Sequence, residues 1–408
     1  MKLSLYIARK YLFSKKKRNV INVINWVTLV GIAIGSAAIV LVLSTFNGLS
    51  NFISDMYSSM DPDIKVVAAR GQLIEDRPEI TETLLEMEEV VALTRTIEGK
   101  VLMKYQERQA FGILKGVEDN FMQVNPLDQQ IFAGINPLDT LTETPLALMG
   151  YFLYRQLGAD IYDPATPIQL VYLPNKRSGL LGTPLTAIKQ HDIYPAGIFD
   201  AQKEYSDQYL ITKFDFARQF LEFNGNITAY ELLLAADANP EQTKITLQRV
   251  LPDHLSVLTL RDQHESLYRI MRSEKFISYL ILTLMLAIAA INIVGSLSMI
   301  VLEKTRDIAV LKSMGATTGL IRSIFLLEGS LVGSIGVVTG LLLAWFLAFL
   351  QQSTGAIKLE GTTLAFPISM QTGDFMLVFI TVITLSVLAA LYPSMKAGRL
   401  PVVQGLRQ

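Results

Sequence analysis

From Asn19 to Ser54 the chain carries no charged side chain. Hydrocarbon offers nothing that can hydrogen-bond a peptide group, so a segment of this kind crosses a bilayer only as a helix or as part of a closed barrel. Its most apolar part, Trp26 to Phe46, is long enough as a helix at ~1.5 Å per residue to span ~30 Å of lipid. Three further runs follow: Phe276 to Leu302 without a charge, Ile324 to Leu350 with only Glu328, and Phe375 to Tyr392 without a charge. Half of all residues are hydrophobic, 18% are charged and the mean hydropathy is +0.36, the balance of a membrane protein rather than a soluble domain. The first run exceeds the roughly 7–15 apolar residues of a cleaved signal peptide and no small-x-small site follows it, so it is read as a retained span.

The net charge of −1 conceals a division. Residues 49 to 272 carry 20 basic and 31 acidic side chains, a net of −11, whereas the remainder is at +10. Basic residues beside apolar runs mark cytoplasmic loops. Lys2, Arg9, Lys10, Lys15, Lys16, Lys17 and Arg18 precede the first run without an acid; Lys304, Arg306, Lys312 and Arg322 lie between the second and third runs; Lys396, Arg399 and Arg407 close the chain. The loop 351–374 has Lys358 as its only basic residue. The expected fold is a four-helix integral membrane protein, both termini cytoplasmic, with a large α+β extracytoplasmic domain inserted between the first and second helices. The expected order is a basic segment (1–25), a span (26–48), the outer domain (49–272), a span (273–302), an inner loop (303–320), a span (321–350), an outer loop (351–374), a span (375–393) and an inner tail (394–408).

Alternating patterns over Asp63–Ala69, Gly99–Tyr105, Thr166–Tyr172 and Thr228–Ala235 predict strands in the outer block. Glu79–Val91, Lys213–Phe223 and Glu241–Val250 predict helices. Turn formers bracket two leucines in Pro174 to Pro184, which predicts a protruding loop.

Several chemistries are excluded. There is no cysteine, so no disulfide or thiolate chemistry, and three scattered histidines make no metal centre. No phosphate-binding loop is present, hence no ATP or Mg site is expected in this chain and any ATP is bound by another subunit. No paired carboxylates or catalytic triad stand out, and the basic residues follow membrane topology rather than nucleic acid. Gly31/Gly35, Gly329/Gly333 and Gly336/Gly340 are small-xxx-small pairs that let helices approach closely, within one subunit in preference to a dimer. Glu328 is a functional candidate as a carboxylate inside a span, with pairing to Arg322 or another basic residue as the simpler expectation.

The inner loop EKTRDIAVLKSMGATTGLIRS from Glu303 holds the most information. Thr305 can cap a short helix and Gly315 can end it, with Thr317 or Thr318 capping the third span. Ile308, Leu311 and Met314 fall on one face while Arg306 and Lys312 stay polar. Such a helix serves either as an anchor seated in the groove of a cytoplasmic partner or as a passive interfacial element.

Three stretches then resemble a known family: IARKYLFSKKKRNVINVINWVTLVGIAIGSAAIVLVLSTFNGL at the amino end, VLEKTRDIAVLKSMGATTGLIRSIFLLEGSLVGSIGVVTGLLLA, and the tail ALYPSMKAGRLPVVQGLR. Together with AGIFDAQKEYSDQYLIT from Ala196, they are similar to the permease subunits of the lipoprotein-releasing system, within the superfamily of macrolide-exporter and FtsX-type ABC permeases. The resemblance implies a bacterial inner-membrane permease that draws acylated lipoproteins from the outer leaflet and hands them to a periplasmic carrier. It implies as partners a separate ATPase, a second permease subunit, the lipoproteins, the carrier and membrane lipid. It makes Arg306, Asp307, Ile308, Leu311, Lys312, Met314 and Gly315 the ATPase-coupling helix, and Ile39, Leu43, Phe46 and Asn47 the lining of a lipid cavity between the first and second spans. Pro174, Lys176, Arg177, Leu180, Leu181 and Pro184 align with a carrier-binding loop, the lysine, arginine and leucines departing from the family's pattern. The alternatives are an exporter of peptides or small molecules of the macrolide type, which usually has a fused ATPase where only 25 residues precede the first span here, and a non-transporting module of the cell-division type, whose outer domain is usually smaller.

Overall fold

The computed structural model describes residues 4–8, 19–58, 60–71, 73–140, 142, 144–163, 165–172, 188–359 and 364–401. The amino-terminal basic residues and the Pro174–Pro184 loop lie outside them. The chain divides into two compact units, Met1–Phe52 with Leu267–Gln408, and Ile53–Ser266. The helices are α1 (Asn19–Tyr57), α2 (Pro78–Leu85), α3 (Phe121–Val124), α4 (Tyr151–Leu157), α5 (Lys203–Gln208), α6 (Phe214–Phe220), α7 (Pro240–Val250), α8 (Leu260–Gln263), α9 (Glu265–Glu303), α10 (Thr305–Ser313), α11 (Thr318–Thr354) and α12 (Thr372–Gly398).

Strands are confined to the second unit: β1 (Ile64–Ala68), β2 (Ile74–Glu75), β3 (Val90–Tyr105), β4 (Arg108–Val117), β5 (Ile131–Gly134), β6 (Leu146–Gly150), β7 (Ile168–Tyr172), β8 (Lys189–Phe199), β9 (Tyr209–Lys213), β10 (Asn226–Ile227), β11 (Ala229–Leu234) and β12 (Leu255–Thr259). Ten of them make one sheet in the order β12-β1-β11-β3-β4-β9-β6-β8-β5, and β7 pairs with both β3 and β8. That double pairing closes β3, β4, β9, β6, β8 and β7 into a ring. Alternation along β3 explains its two faces: Ile97, Val101, Met103 and Tyr105 enter the apolar core while Thr94, Thr96 and Glu98 turn to the other side. The helix expected over Glu79–Val91 stops at Leu85, because Val90 already pairs with Leu234 of β11 and a β-branched residue there favours the ladder. Asn239 caps α7 by accepting from the backbone of Glu241, with Pro240 in the first turn.

The polar face of β3 holds a buried charge cluster. Glu231, fully buried, accepts hydrogen bonds from Lys115 Nζ (2.8 Å), Asn125 Nδ2 (2.7 Å) and Thr96 Oγ1 (3.1 Å). Lys65 and Lys115 lie 3.5 and 3.3 Å from Glu98. Burial alone would raise the Glu98 carboxyl, but the two ammonium groups outweigh it and hold it at about 2. Burial likewise opposes the charge on Lys65, and the carboxylates of Glu98, Glu231 and Asp61 overcome it, so this ammonium stays above the ordinary lysine range.

Among the described residues, four helices are long and apolar enough to cross a membrane, Trp26–Tyr57, Glu265–Glu303, Thr318–Thr354 and Thr372–Gly398. Helices in lipid gain little from hiding apolar surface and associate through close packing instead. The glycine pairs supply it within the single chain. A Cβ on Gly329 or Gly333 would come within 2.5 Å of Ala390 or 2.1 Å of Ser386 on α12, and one on Gly340 within 2.1 Å of Ser36 on α1. Gly35 faces Leu286 of α9 in the same way, at 2.8 Å.

Two outcomes are expected for the charge cluster. Lys115→Met strands a buried carboxylate and should lower stability by ~3–5 kcal/mol, whereas Lys115→Met with Glu231→Leu recovers most of the loss in thermal unfolding of the full chain. The contribution of Glu98, whose carboxyl is depressed, is complete above its ordinary value of 4.5 and is lost as pH falls toward 2. Glu98→Gln should therefore flatten the decline of the melting temperature across that window.

Candidate functional site

The loop between α9 and α11 folds as expected at Gly315 and Thr317, and differently at Thr305 and on its faces. Lys304 occupies the cap position of α10, and the Thr305 hydroxyl donates back to the carbonyls of Val301 and Leu302 instead of capping. Gly315 takes a φ of +96° and ends the helix, its N–H reaching the Lys312 carbonyl, and Thr317 caps α11 by accepting from Leu320. Ile308 is 1% exposed and Leu311 half-buried, both packed into the core of the helical unit, but Met314 is 80% exposed. The three do not share one face. The outward surface includes Arg306, Asp307, Val310, Ser313 and Met314. Lys312 is not a solvated charge either: its ammonium donates to the carbonyls of Gly398 (2.8 Å) and Leu400 (2.7 Å), fastening α10 to the end of α12, where the helix dipole favours a cation.

The expected cavity residues all lie on α1. Ile39 and Leu43 are buried in the helical core, and Phe46 is half-buried. Gly31 and Gly35 bring α1 against Ala289 and Leu286 of α9, so the space expected between these two helices is closed there in the single chain. Asn47 takes part in a polar clamp. Its amide donates to Asp374 Oδ2 at 2.6 Å, and its carbonyl accepts from Lys275 Nζ at 2.7 Å. Lys275 in turn reaches Asp374 at 3.3 Å, tying α1, α9 and α12 together. The backbone of Ser369 donates to the Ser44 carbonyl, and Gly48 leaves room for Pro367, whose oxygen lies 2.3 Å from the place of an added Cβ. The segment preceding α12 therefore lies against α1. Lys275 and Asp374 escape a reading by hydropathy, because each serves there only as the charge that ends an apolar run.

Glu328 lies on α11, fully buried, and both of its carboxylate oxygens lack a hydrogen-bond partner among the described residues. Arg322, the partner expected for it, is exposed and makes no ion pair with it. Leaving a buried carboxylate charge unpaired costs several kcal/mol. Among the described residues no cluster of three metal-ligating side chains is present.

Comparison with known proteins decides the family. The model of the MacB-like periplasmic core domain matches residues 26–246, and that of the FtsX-like permease C-terminal region matches residues 279–402. The chain belongs to this permease family. Lipoprotein-releasing system transmembrane protein LolC of Xylella fastidiosa strain 9a5c is 26% identical over 99% of this chain and 98% of its own length. LolE of Haemophilus influenzae is 23% identical over 100% and 99%. The pyoverdine export ATP-binding/permease protein PvdT of Pseudomonas syringae is 24% identical over 93% of this chain but 56% of its own length. The periplasmic region of MacB from Actinobacillus actinomycetemcomitans shares 11% identity, with a TM-score of 0.34 over 52% of this chain and 94% of that one. The permease is thus a multi-pass protein of a bacterial inner membrane with a MacB-like periplasmic core domain.

The clamp makes a stability prediction. Asp374→Ala removes the acceptor of both Lys275 and Asn47, and ~1–3 kcal/mol per stranded polar group should appear as a lower melting temperature of the full chain in detergent. Replacing all three by apolar residues of similar size should melt higher than Asp374→Ala alone.

Proposed function

We propose that this chain is a permease subunit of a lipoprotein-releasing ABC transporter: a separate ATPase drives it, acylated lipoproteins leave the outer leaflet through it, and a periplasmic carrier receives them. The end-to-end match to LolC and LolE carries this reading, since the exporter PvdT aligns over little more than half of its own length. Both termini and α10 are cytoplasmic, the unit Ile53–Ser266 is periplasmic between the first and second of four spans, and a second permease, identical or related, completes the membrane part. ATP and Mg belong to the ATPase, and nucleic acid is no partner.

The energetics favour such a machine. Exposing one ~16-carbon acyl chain to water costs ~12 kcal/mol at ~0.8 per CH₂, so three chains approach ~35, beyond the ~20 kcal/mol of the strongest non-covalent complexes. Lipoproteins must therefore pass along an apolar path between helices and then into a carrier. In the single chain α1 and α9 touch at Gly35 and Leu286, so the lipid path through Ile39, Leu43, Phe46 and Asn47 needs these helices to part or a second subunit to supply the other wall. The carrier loop Pro174–Pro184 keeps its proposed role on resemblance alone.

The outward face of α10 suits a groove in the ATPase: an apolar anchor in Val310 and Met314 flanked by Arg306 and Asp307. Purification of the tagged chain in mild detergent should bring down an ATPase, a permease and acylated proteins; absence of the acylated proteins would remove the lipoprotein reading. Met314→Asp should cut co-purified ATPase at least tenfold, with the melting temperature unchanged, because the side chain stands in solvent. Phe46→Asp should block transfer of lipoprotein to a carrier while the ATPase still co-purifies, and normal transfer would remove Phe46 from the path.

A further inference from the structure

Two exposed threonines within the apolar helices turn back on their own backbone: Thr339 donates to the Ile335 carbonyl at 2.9 Å, and Thr384 to that of Ile380 at 2.8 Å. Other polar groups bond a neighbouring helix, as Tyr279 of α9 does with Thr381 of α12 at 2.7 Å. Asn292 on α9 does neither. Its side chain is exposed, and its amide has no hydrogen-bond partner among the described residues. It lies within the charge-free run Phe276 to Leu302, about 15 Å from Glu303 at ~1.5 Å per residue, which is near the middle of a bilayer. Lipid offers an amide neither a donor nor an acceptor, so a group of this kind in a span faces protein.

The surface around Asn292 is laid out for another helix. Ile288, Asn292, Gly295, Met299 and Leu302 alternate by four and three residues and are all exposed, so they form one seam along α9. Gly295 departs from the glycines that pack the bundle. Gly35, Gly329, Gly333 and Gly340 each meet a neighbouring helix of the same chain, whereas a Cβ on Gly295 would meet nothing within 4 Å. The seam thus sets a low point of the helix surface one turn from an amide without a partner.

The amide also selects the partner. Two copies in one membrane share an orientation, so a two-fold axis relating them runs along the membrane normal and brings both Asn292 side chains to the same depth. An amide both donates and accepts, so Nδ2 of each Asn292 can donate to Oδ1 of the other. A helix of unlike sequence needs a polar group placed opposite by chance; a copy of this chain always brings one. We propose that the α9 seam is the contact with a second copy of this chain, with the paired Asn292 amides at its centre and Gly295 letting the two helices approach. The inference deepens the reading of the chain as a permease subunit and rests on it, since it names the second permease.

The chain has no native cysteine, so single cysteines report the contact in membrane vesicles that hold the full chain with its ATPase. Under mild oxidation Ile288→Cys, Gly295→Cys and Met299→Cys should each give a disulfide-linked dimer of the chain, about tenfold more than Leu342→Cys on α11 or Leu388→Cys on α12, which are also exposed. Asn292→Leu should lower the Met299→Cys cross-link about tenfold with the melting temperature of the detergent-solubilised monomer unchanged, and Asn292→Gln, which keeps the amide, should retain most of it. Equal cross-linking at Leu342 and Leu388, a cross-link to a protein of different mass, or a full cross-link in Asn292→Leu overturns the proposal. Cross-linking is read without cargo, so a dimer that binds no acylated protein would overturn the lipoprotein reading and leave the contact standing. Acylated protein co-purifying with a chain that never cross-links along α9 would do the reverse.

Discussion

Lipid cannot hydrate a peptide group or a charge, and each part of this protein answers to that constraint. Backbone groups in the apolar runs close on themselves as α1, α9, α11 and α12. Since lipid tails are as apolar as leucine, the helices are held by contact instead of by exclusion from water. This is why glycines sit where α11 meets α1 and α12, with neighbours so near that a single methyl group would collide.

Charge is admitted under two different arrangements. Lys275, Asn47 and Asp374 satisfy one another in a closed set of hydrogen bonds that links three helices. Glu328 has no such set: neither of its oxygens has a donor among the described residues. A satisfied cluster fixes one geometry, whereas a buried carboxylate without a donor is costly to hold. The same contrast separates the helical unit from the periplasmic one, where Lys65, Lys115, Glu98 and Glu231 neutralise one another under the sheet and the ring of strands around β3 is held as a single body.

The apolar helices and the end of α10 at Gly315 were legible because each depends on local composition or on one residue's backbone preference. The faces of α10 were not. Ile308, Leu311 and Met314 have the spacing of one stripe, but the helix is short and its core contacts end before Met314, which the turn at Gly315 leaves in solvent. The part Asn47 plays in the clamp was not legible because its partners, Lys275 and Asp374, are more than two hundred residues away in sequence. Val90 read as helix because its pairing strand lies at Leu234.

The amino-acid order alone determined how many times the chain can enter lipid, which ends carry positive charge and where helices start and stop, since hydropathy, charge and capping act over a few neighbouring residues. Tertiary structure decided which side of each helix is covered, which polar groups find one another and which one is left without a partner. Those outcomes depend on approach between distant segments, and no periodicity in a linear string encodes a distance.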